Sequence, residues 1–373
     1  MSAAQSDLAP TRFIMTPAEV ATCFGALGIG PPNTGLYVGL PRPETSVPKR
    51  LARPDGTLTV EVEALFRLLA APSQSISVNS YVPGSPERLE TRIASDGAAQ
   101  HFAMVSMDGD GDWDVALLTS RHQLLVVLDE ITGLSAGRSQ DAGLALQLRR
   151  PGFAVLAAIS DLLTEERLQS RLDRRPNPMN AAATPIDLNE LLRMMEMGID
   201  HPDTSSAVTM ASLVSEGTIV GASNIAELEV GVQNLGALGL INNDSVLTVL
   251  GLGLATYLGN LGVVSSLLVV TGGREAASVD WFVVFRSRDA LLLGVWDGPP
   301  GRNENLLLAE VSAGSAFANI EKSIAAAPPP RPKPETRRRE KPAPEKSFCT
   351  NCSTKVKPGQ RFCTKCGAAV GGP

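Results

Sequence analysis

Two short stretches of this chain repeat each other. Asp55-Gly-Thr-Leu-Thr-Val is echoed by Asp244-Ser-Val-Leu-Thr-Val, and at the same offset Leu58, Leu65 and Leu69 fall on Leu247, Leu254 and Leu258. A duplication constrains the fold strongly, because two like units must each bury a like apolar face, and the simplest solution is to build one half twice. The leucine spacing of seven and four is helical in both segments. The echo continues with a drifting offset. His101-Phe-Ala-Met-Val-Ser-Met-Asp resembles Trp281-Phe-Val-Val-Phe-Arg-Ser-Arg-Asp, Val115-Ala-Leu-Leu resembles Ala290-Leu-Leu-Leu, and Leu124-Leu-Val-Val-Leu resembles Leu306-Leu-Leu-Ala-Glu-Val. Each copy reads as helix, helix, strand and a run of turn-joined strands, with a closing helix over residues 313–326 in the second. Short strands joined by polar turns pair as antiparallel neighbours. The expected fold class is α+β: two pseudo-repeated halves, each helices plus an antiparallel sheet, followed by a disordered linker and a small metal module.

Each copy is introduced by a helix with a readable start. Thr16-Pro17-Ala18-Glu19 is a capping box with proline at the first helical position, ahead of Val20, Cys23, Phe24 and Leu27 on one face. Asn224 with Glu227 caps a second helix carrying Ile225, Leu228, Val232 and Leu235. Between the copies lies a helical connector. Residues 154–172 end in charges at Glu165, Glu166, Arg167 and Arg171, a loop follows at Arg174-Arg-Pro-Asn-Pro-Met-Asn, and Thr184-Pro185-Ile186-Asp187 starts a helix with Leu188, Leu191, Leu192 and Met195 facing inward. The expected organisation is therefore a disordered N-terminus over residues 1–15, a first α+β repeat over 16–148, the connector over 149–221 and a second repeat over 222–324. A proline- and charge-rich linker over 325–346 and a metal module over 347–370 complete it.

The chain has 373 residues, 43% hydrophobic and 19% charged, which suits a soluble protein with two core-bearing units and an appendage. Charge is uneven. From Ala325 onward eleven Lys/Arg stand against three Glu, a net of +8, so the rest of the chain carries −14 of the total −6. The segment 325–346, AAAPPPRPKPETRRREKPAPEK, mixes proline with like charges and predicts an extended spacer. Residues 245–273 carry no charge and are long enough to raise the question of a membrane span. They also contain Thr248, Thr256, Tyr257, Asn260, Ser265 and Ser266, with a break near Gly259 to Gly262. A soluble helix with Leu247, Leu250, Leu254, Leu258 and Leu261 at helical spacing, then a buried strand over 263–270, fits better. The N-terminal residues show no basic start ahead of an apolar core, and Cys23 is the only cysteine outside the tail. Both features point to a cytoplasmic protein.

Cys349, Cys352, Cys363 and Cys366 form a C-x2-C-x10-C-x2-C array. Each pair places two sulfurs on one side of a tight knuckle, and together four thiolates make a closed tetrahedral site for structural zinc. Pro358-Gly359 supplies the hairpin tip, and Phe348, Val356, Phe362 and Val370 supply a small core that cannot fold without the metal. Four thiolates leave no open position for a substrate.

The remaining signals are weak. Asp108-Gly-Asp110-Gly-Asp112-Trp-Asp114 begins like a calcium loop, but Trp113 replaces the required glycine and Thr119 the terminal glutamate, so a polar hairpin turn is expected. Gly28-Ile-Gly30-Pro-Pro-Asn33 lacks the third glycine of a dinucleotide fingerprint and reads as a loop. His101, His122 and His201 are not in metal-pair spacing. Met194, Met195 and Met197 read as helical core. No catalytic constellation emerges, and the expectation is a protein without enzymatic activity.

The helix from Thr16 to Leu27 and the run from Asp55-Gly-Thr-Leu58 through Leu65, Leu69, Ala70 and Pro72 lead into a strand-rich stretch ending at Leu128. With their second-copy echoes at residues 244–258 and 281–296, they resemble the EspG family, cytosolic chaperones associated with type VII (ESX) secretion. The resemblance implies two pseudo-symmetric α+β halves and recognition of another protein. The connector and the cysteine tail depart from that family, and no binding residue carries over. The terminal segment separately resembles the zinc ribbons fused to many bacterial proteins. The expected function is a protein-binding adaptor or chaperone with the ribbon as a tethered second contact. The alternative is a nucleic-acid-associated regulator that uses the leading helical segments as a winged-helix-like reader and the basic tail, with Lys355, Lys357, Arg361 and Lys365, as a phosphate anchor.

Overall fold

The computed structural model describes residues 10–32, 35–83, 88–96, 101–107, 111–138, 140–141, 143–173, 184–200, 225–273, 276–297, 305–325 and 365–366. Residues 1–329 form one compact unit and residues 330–373 another. The first unit is built on one ten-stranded sheet. In chain order its strands are β1 (Thr11–Met15), β2 (Gln74–Tyr81), β3 (Arg88–Ser95), β4 (Phe102–Met107), β5 (Trp113–Leu118), β6 (Ala145–Arg149), β7 (Val263–Gly273), β8 (Ala276–Arg286), β9 (Leu291–Trp296) and β10 (Asn305–Glu310). They lie in the order β1-β5-β4-β3-β2-β7-β8-β9-β10-β6, with antiparallel pairing throughout.

That order is the same from either end inward, so a pseudo-two-fold axis passes through the central pair, where Val78 faces Leu267. The described helices are α1 (Pro17–Ala26), α2 (Val60–Ala70), α3 (Arg121–Thr132), α4 (Arg150–Leu172), α5 (Leu188–Asp200), α6 (Ile225–Ala237), α7 (Val249–Leu258) and α8 (Ala313–Ala325). One sheet face is covered at its centre by α3 and α8, with Leu124, Val127, Leu128, Ile320 and Ile324 buried against Ile76, Val78, Leu267 and Val269. The other face carries two separate cores. In the first half, Phe24, Leu65 and Phe66 of α1 and α2 pack on Val105 and Val115. In the second, α4 to α7 pack on Trp281, Val283, Phe285 and Leu306.

The duplication holds bond by bond. Thr59 caps α2 by accepting from Val62 N, and Thr248 caps α7 by accepting from Gly251 N. Thr59 N donates to Leu51 O as Thr248 N donates to Leu240 O, and Arg53 N donates to Thr57 O as Asn242 N donates to Val246 O. Isolated bridges join Ala52 to Leu58 and Ile241 to Leu247. The leading helices end alike as well: Ile29 N donates to Phe24 O, and Leu240 N to Leu235 O, past the left-handed Gly28 and Gly239. Leu240 thus does the work of both Ile29 and Leu51. The stretch between those two residues is an addition to the first copy, and it folds back over α1, where Glu44 N donates to Thr22 Oγ1 at 2.8 Å. The closing helices match too, since Ser120 Oγ accepts from Gln123 N and Ser312 Oγ from Ser315 N, both at 3.2 Å.

Four expectations from the sequence are corrected. Residues 11–15 are an edge strand, because Phe13 and Met15 alternate inward onto the first core. The run Leu124-Leu-Val-Val-Leu lies in a helix, α3, whose buried positions recur at three and four. The strand echo was misaligned by one strand: by place in the sheet β4 answers β9 and β5 answers β10. Finally, β6 at the end of the expected first repeat pairs with β10, so by sheet pairing residues 145–149 belong with the second half. The connector is then an insertion between β6 and α6, and it supplies the long helix α4. Asn234 of α6 fixes the start of α4, its Oδ1 accepting from Arg149 N at 3.0 Å where Arg149 offers no side-chain cap of its own.

The uncharged stretch folds as α7 followed by β7, with Gly259 capping the helix. Among the described residues no helix is long and apolar enough to cross a membrane. Of the connector helices, α5 buries Leu191 and Met195 as read, and Met197 is 43% exposed.

Candidate functional site

The two copies provide an internal comparison for every surface position. α2 and α7 start at equivalent threonine caps and seat equivalent leucines, Leu65 with Leu254 and Leu69 with Leu258, against the sheet. Their outward positions differ. On α2 these are Val60, Glu61, Ala64 and Arg67, and Arg67 pairs with Glu63 at 2.9 Å. On α7 the same positions are Val249, Leu250, Gly253 and Thr256. Val249 is 91% and Leu250 45% exposed, so Leu250, which the sequence placed on the helical stripe, turns outward. The valines at the helix starts, Val60 and Val249, are alike and both exposed, but the carboxylates Glu61 and Glu63 give way to Leu250 and Leu252, and Arg67 to Thr256. Because surface helices normally solvate their outer face with charge, the apolar copy is the informative one.

The face is held rigidly. A Cβ on Gly251 would stand 2.0 Å from Leu240 O, and one on Gly259 would stand 2.6 Å from Thr164 Oγ1, so glycine lets α7 press against the turn before it and against α4. Thr248 Oγ1 donates to Gly239 O at 2.8 Å while accepting from the helix start. On the opposite flank Arg167 Nη2 of α4 donates to Thr256 Oγ1 at 2.8 Å. Tyr257 reaches beneath the helix with its hydroxyl 2.7 Å from Phe285 O and 3.1 Å from Ala290 O, and burial pushes that hydroxyl's pKa up to about 12. It is a structural strut. What α7 offers outward is aliphatic surface, suited to apolar association and lacking a group that could transfer a proton.

The other candidates disperse. His101 is exposed ahead of β4 and His122 is exposed on α3, while His201 lies outside the described residues. Met107 pairs with Trp113 across β4 and β5, and the first part of the acidic cluster, residues 108–110, lies outside the described residues. Gly28 ends α1, and the Gly28–Pro32 stretch is a loop. Cys23 is fully buried, and desolvation, helped by nearby Glu19, pushes its thiol up to about 12, which leaves it unreactive. Sequence reasoning missed Arg286. It is only 3% exposed, Nη1 donates to Arg138 O at 3.1 Å, and burial lowers its pKa against the opposing pull of Tyr257 and Asp129. It pins the segment that crosses from α3 towards β6.

Of the zinc ligands read from the sequence, Cys366 is exposed; Cys349, Cys352 and Cys363 lie outside the described residues. The donor set itself fits zinc, since four thiols in two C-x2-C pairs match the number and softness of ligands that the ion takes in closed sites.

No curated protein matches the chain. Among solved structures it is similar to the Mycobacterium tuberculosis type VII secretion system chaperone EspG5, determined in complex with a PE25–PPE41 dimer. The likeness covers 86% of this chain and 97% of that chain, at 10% identity and a TM-score of 0.44. A zinc-ribbon domain model matches residues 348–370, which include all four tail cysteines. The chain therefore carries a zinc-ribbon domain behind a duplicated α+β body.

Proposed function

We propose that this protein is a cytoplasmic, non-enzymatic adaptor or chaperone that binds another protein through the outer face of α7. The zinc ribbon, its metal held by Cys349, Cys352, Cys363 and Cys366, serves as a tethered second contact. The carrying observation is the contrast between Leu250 and its counterpart Glu61 on helices that share the same threonine cap and the same core leucines. Full burial of the almost wholly exposed Val249 under a partner contributes about 1.5–3 kcal/mol, and that of the half-buried Leu250 about half as much, enough to help anchor an interface. Zinc, when bound, would close the ribbon and offset two of the four negative charges on its thiolates. The cysteines would hold the metal, and Lys355, Lys357, Arg361 and Lys365 add positive charge to the segment.

A photo-crosslinking residue placed at 249 or 250 in the native cell tests this reading. The expected result is a discrete protein adduct that excess unmodified protein competes away and that is missing when the same residue is placed at 61. No adduct at 249 or 250, or equal labelling at 61, would sink it. The basic tail favours nucleic acid as a second reading. An RNA or DNA complex that weakens steeply with salt and vanishes on removal of residues 325–373 would replace the adaptor reading with that one.

A further inference from the structure

The pseudo-two-fold axis raises a problem that the chain must solve. Each half presents its innermost strand, β2 or β7, to the centre of the sheet. Since the two strands occupy equivalent places, the backbone alone accepts β2 against a second copy's β2, or β7 against a second copy's β7, as readily as β2 against β7. Selection falls to the side chains on the buried face.

Four of those side chains are polar. Gln74 and Ser80 on β2 and Ser265 and Thr271 on β7 are 4%, 6%, 0% and 2% exposed. The register sets Gln74 opposite Thr271 and Ser80 opposite Ser265. Gln74 Nε2 donates to Thr271 Oγ1 at 2.8 Å, and the Ser80 and Ser265 hydroxyls share a hydrogen bond of 2.7 Å. Gln74 Nε2 also reaches Ser323 O of α8, which belongs to the other half. In a like-with-like pairing turned about Val78, Ser80 would instead face Ile76, and Gln74 would face Val82. Turned about Leu267, Ser265 would face Val269 and Thr271 would face Val263. Every polar group that is matched in the observed pairing becomes a hydroxyl or amide against an aliphatic side chain, and symmetry repeats each mismatch twice. A buried donor or acceptor without a partner is penalised far more than a satisfied one is rewarded, so the discrimination is steep.

We infer that Gln74, Ser80, Ser265 and Thr271 form a pairing code that joins unlike halves and closes the central strands to homotypic association with a second copy of this chain. The code works through matched positions: removing one partner harms the native seam, whereas removing both members of a pair leaves the native seam intact and abolishes the discrimination.

Val78 gives a direct readout, because it faces itself only in the β2–β2 arrangement, at a cross-strand separation compatible with a disulfide. Full-length Val78→Cys protein is unfolded and refolded at high concentration, oxidised, and digested to quantify the peptide in which two copies are joined through the thiols introduced at position 78. This is done with the four polar residues in place and in a Gln74→Val, Ser80→Val, Ser265→Val, Thr271→Val background. The expected result is about tenfold or more of the linked peptide in the altered background. Should the fourfold background fail to refold, Ser80→Val with Ser265→Val alone carries the comparison. Equal yields in the two backgrounds, whether both high or both negligible, would overturn the inference.

Discussion

At the residue scale the duplication reaches single backbone angles. Gly56 occupies the left-handed region with φ 84°, and its counterpart Ser245, with φ 58°, is the only non-glycine residue at positive φ among the described residues. The turn is the same in both copies, since Gly56 N donates to Arg53 O as Ser245 N donates to Asn242 O. Serine bears the steric cost of that conformation where glycine bears a cost in unfolded-state entropy, and the first exceeds the second by up to about 1 kcal/mol. Ser245→Gly is therefore expected to stabilise the protein, and Gly56→Ser to destabilise it by a comparable amount, measured by urea unfolding. Effects of the same sign would show that the two turns are not equivalent. This match was legible early, because Asp55-Gly-Thr and Asp244-Ser-Val align without gaps. Arg286 was not: a buried arginine at the end of a strand leaves no local pattern, and only the folded chain brings Arg138 O to it.

At the level of elements, capping explains both what the sequence disclosed and what it hid. Thr59 and Thr248 each satisfy a free N–H at a helix start, but Thr248 Oγ1 also donates to Gly239 O. Thr59→Ala is expected to cost about 1 kcal/mol, as cap removal generally does, and Thr248→Ala about 1 kcal/mol more for its second bond. Equal losses in thermal unfolding would mean that the bond to Gly239 contributes nothing. The helices with strong caps and apolar residues at helical spacing, α1, α2 and α7, were readable for this reason. α3 had a cap at Ser120 and a left-handed stop at Gly133, yet its Leu-Leu-Val-Val-Leu run carries the letters of a buried strand, and β-branched composition outweighed the caps. β3 went unread because Glu90 and Arg92 pair along its polar side at 3.1 Å and obscure the alternation of Thr91 with Ile93. Missing one strand shifted the alignment of every strand after it. The candidate surface on α7 was hidden for a related reason: a leucine repeat at helical spacing gives no sign of which leucine faces out, and only comparison with α2 in the folded state separates Leu250 from Leu254.

For the whole molecule, the division into a body and a tail makes a prediction about metal. Residues 1–329 and 330–373 are separate compact units, and the zinc-ribbon match lies wholly in the second. Among the described residues the body draws its stability from three apolar clusters and the ten-stranded sheet. The ribbon is too short to bury a core of its own, so its folding free energy is that of metal binding. The five cysteines report on the two units independently. Four belong to the ribbon, and Cys23 is sealed in the first core of the body. Treatment with a strong zinc chelator under native conditions is therefore expected to release one zinc per chain and make four thiols reactive toward a disulfide reagent. The fifth should stay silent until the body is unfolded, and the body's cooperative melting should stay where it was. Titration of five thiols, or a lowered melting temperature of the body, would show that the metal supports more than the ribbon. A tail whose thiols react fully before the chelator is added would show that the four cysteines do not hold zinc.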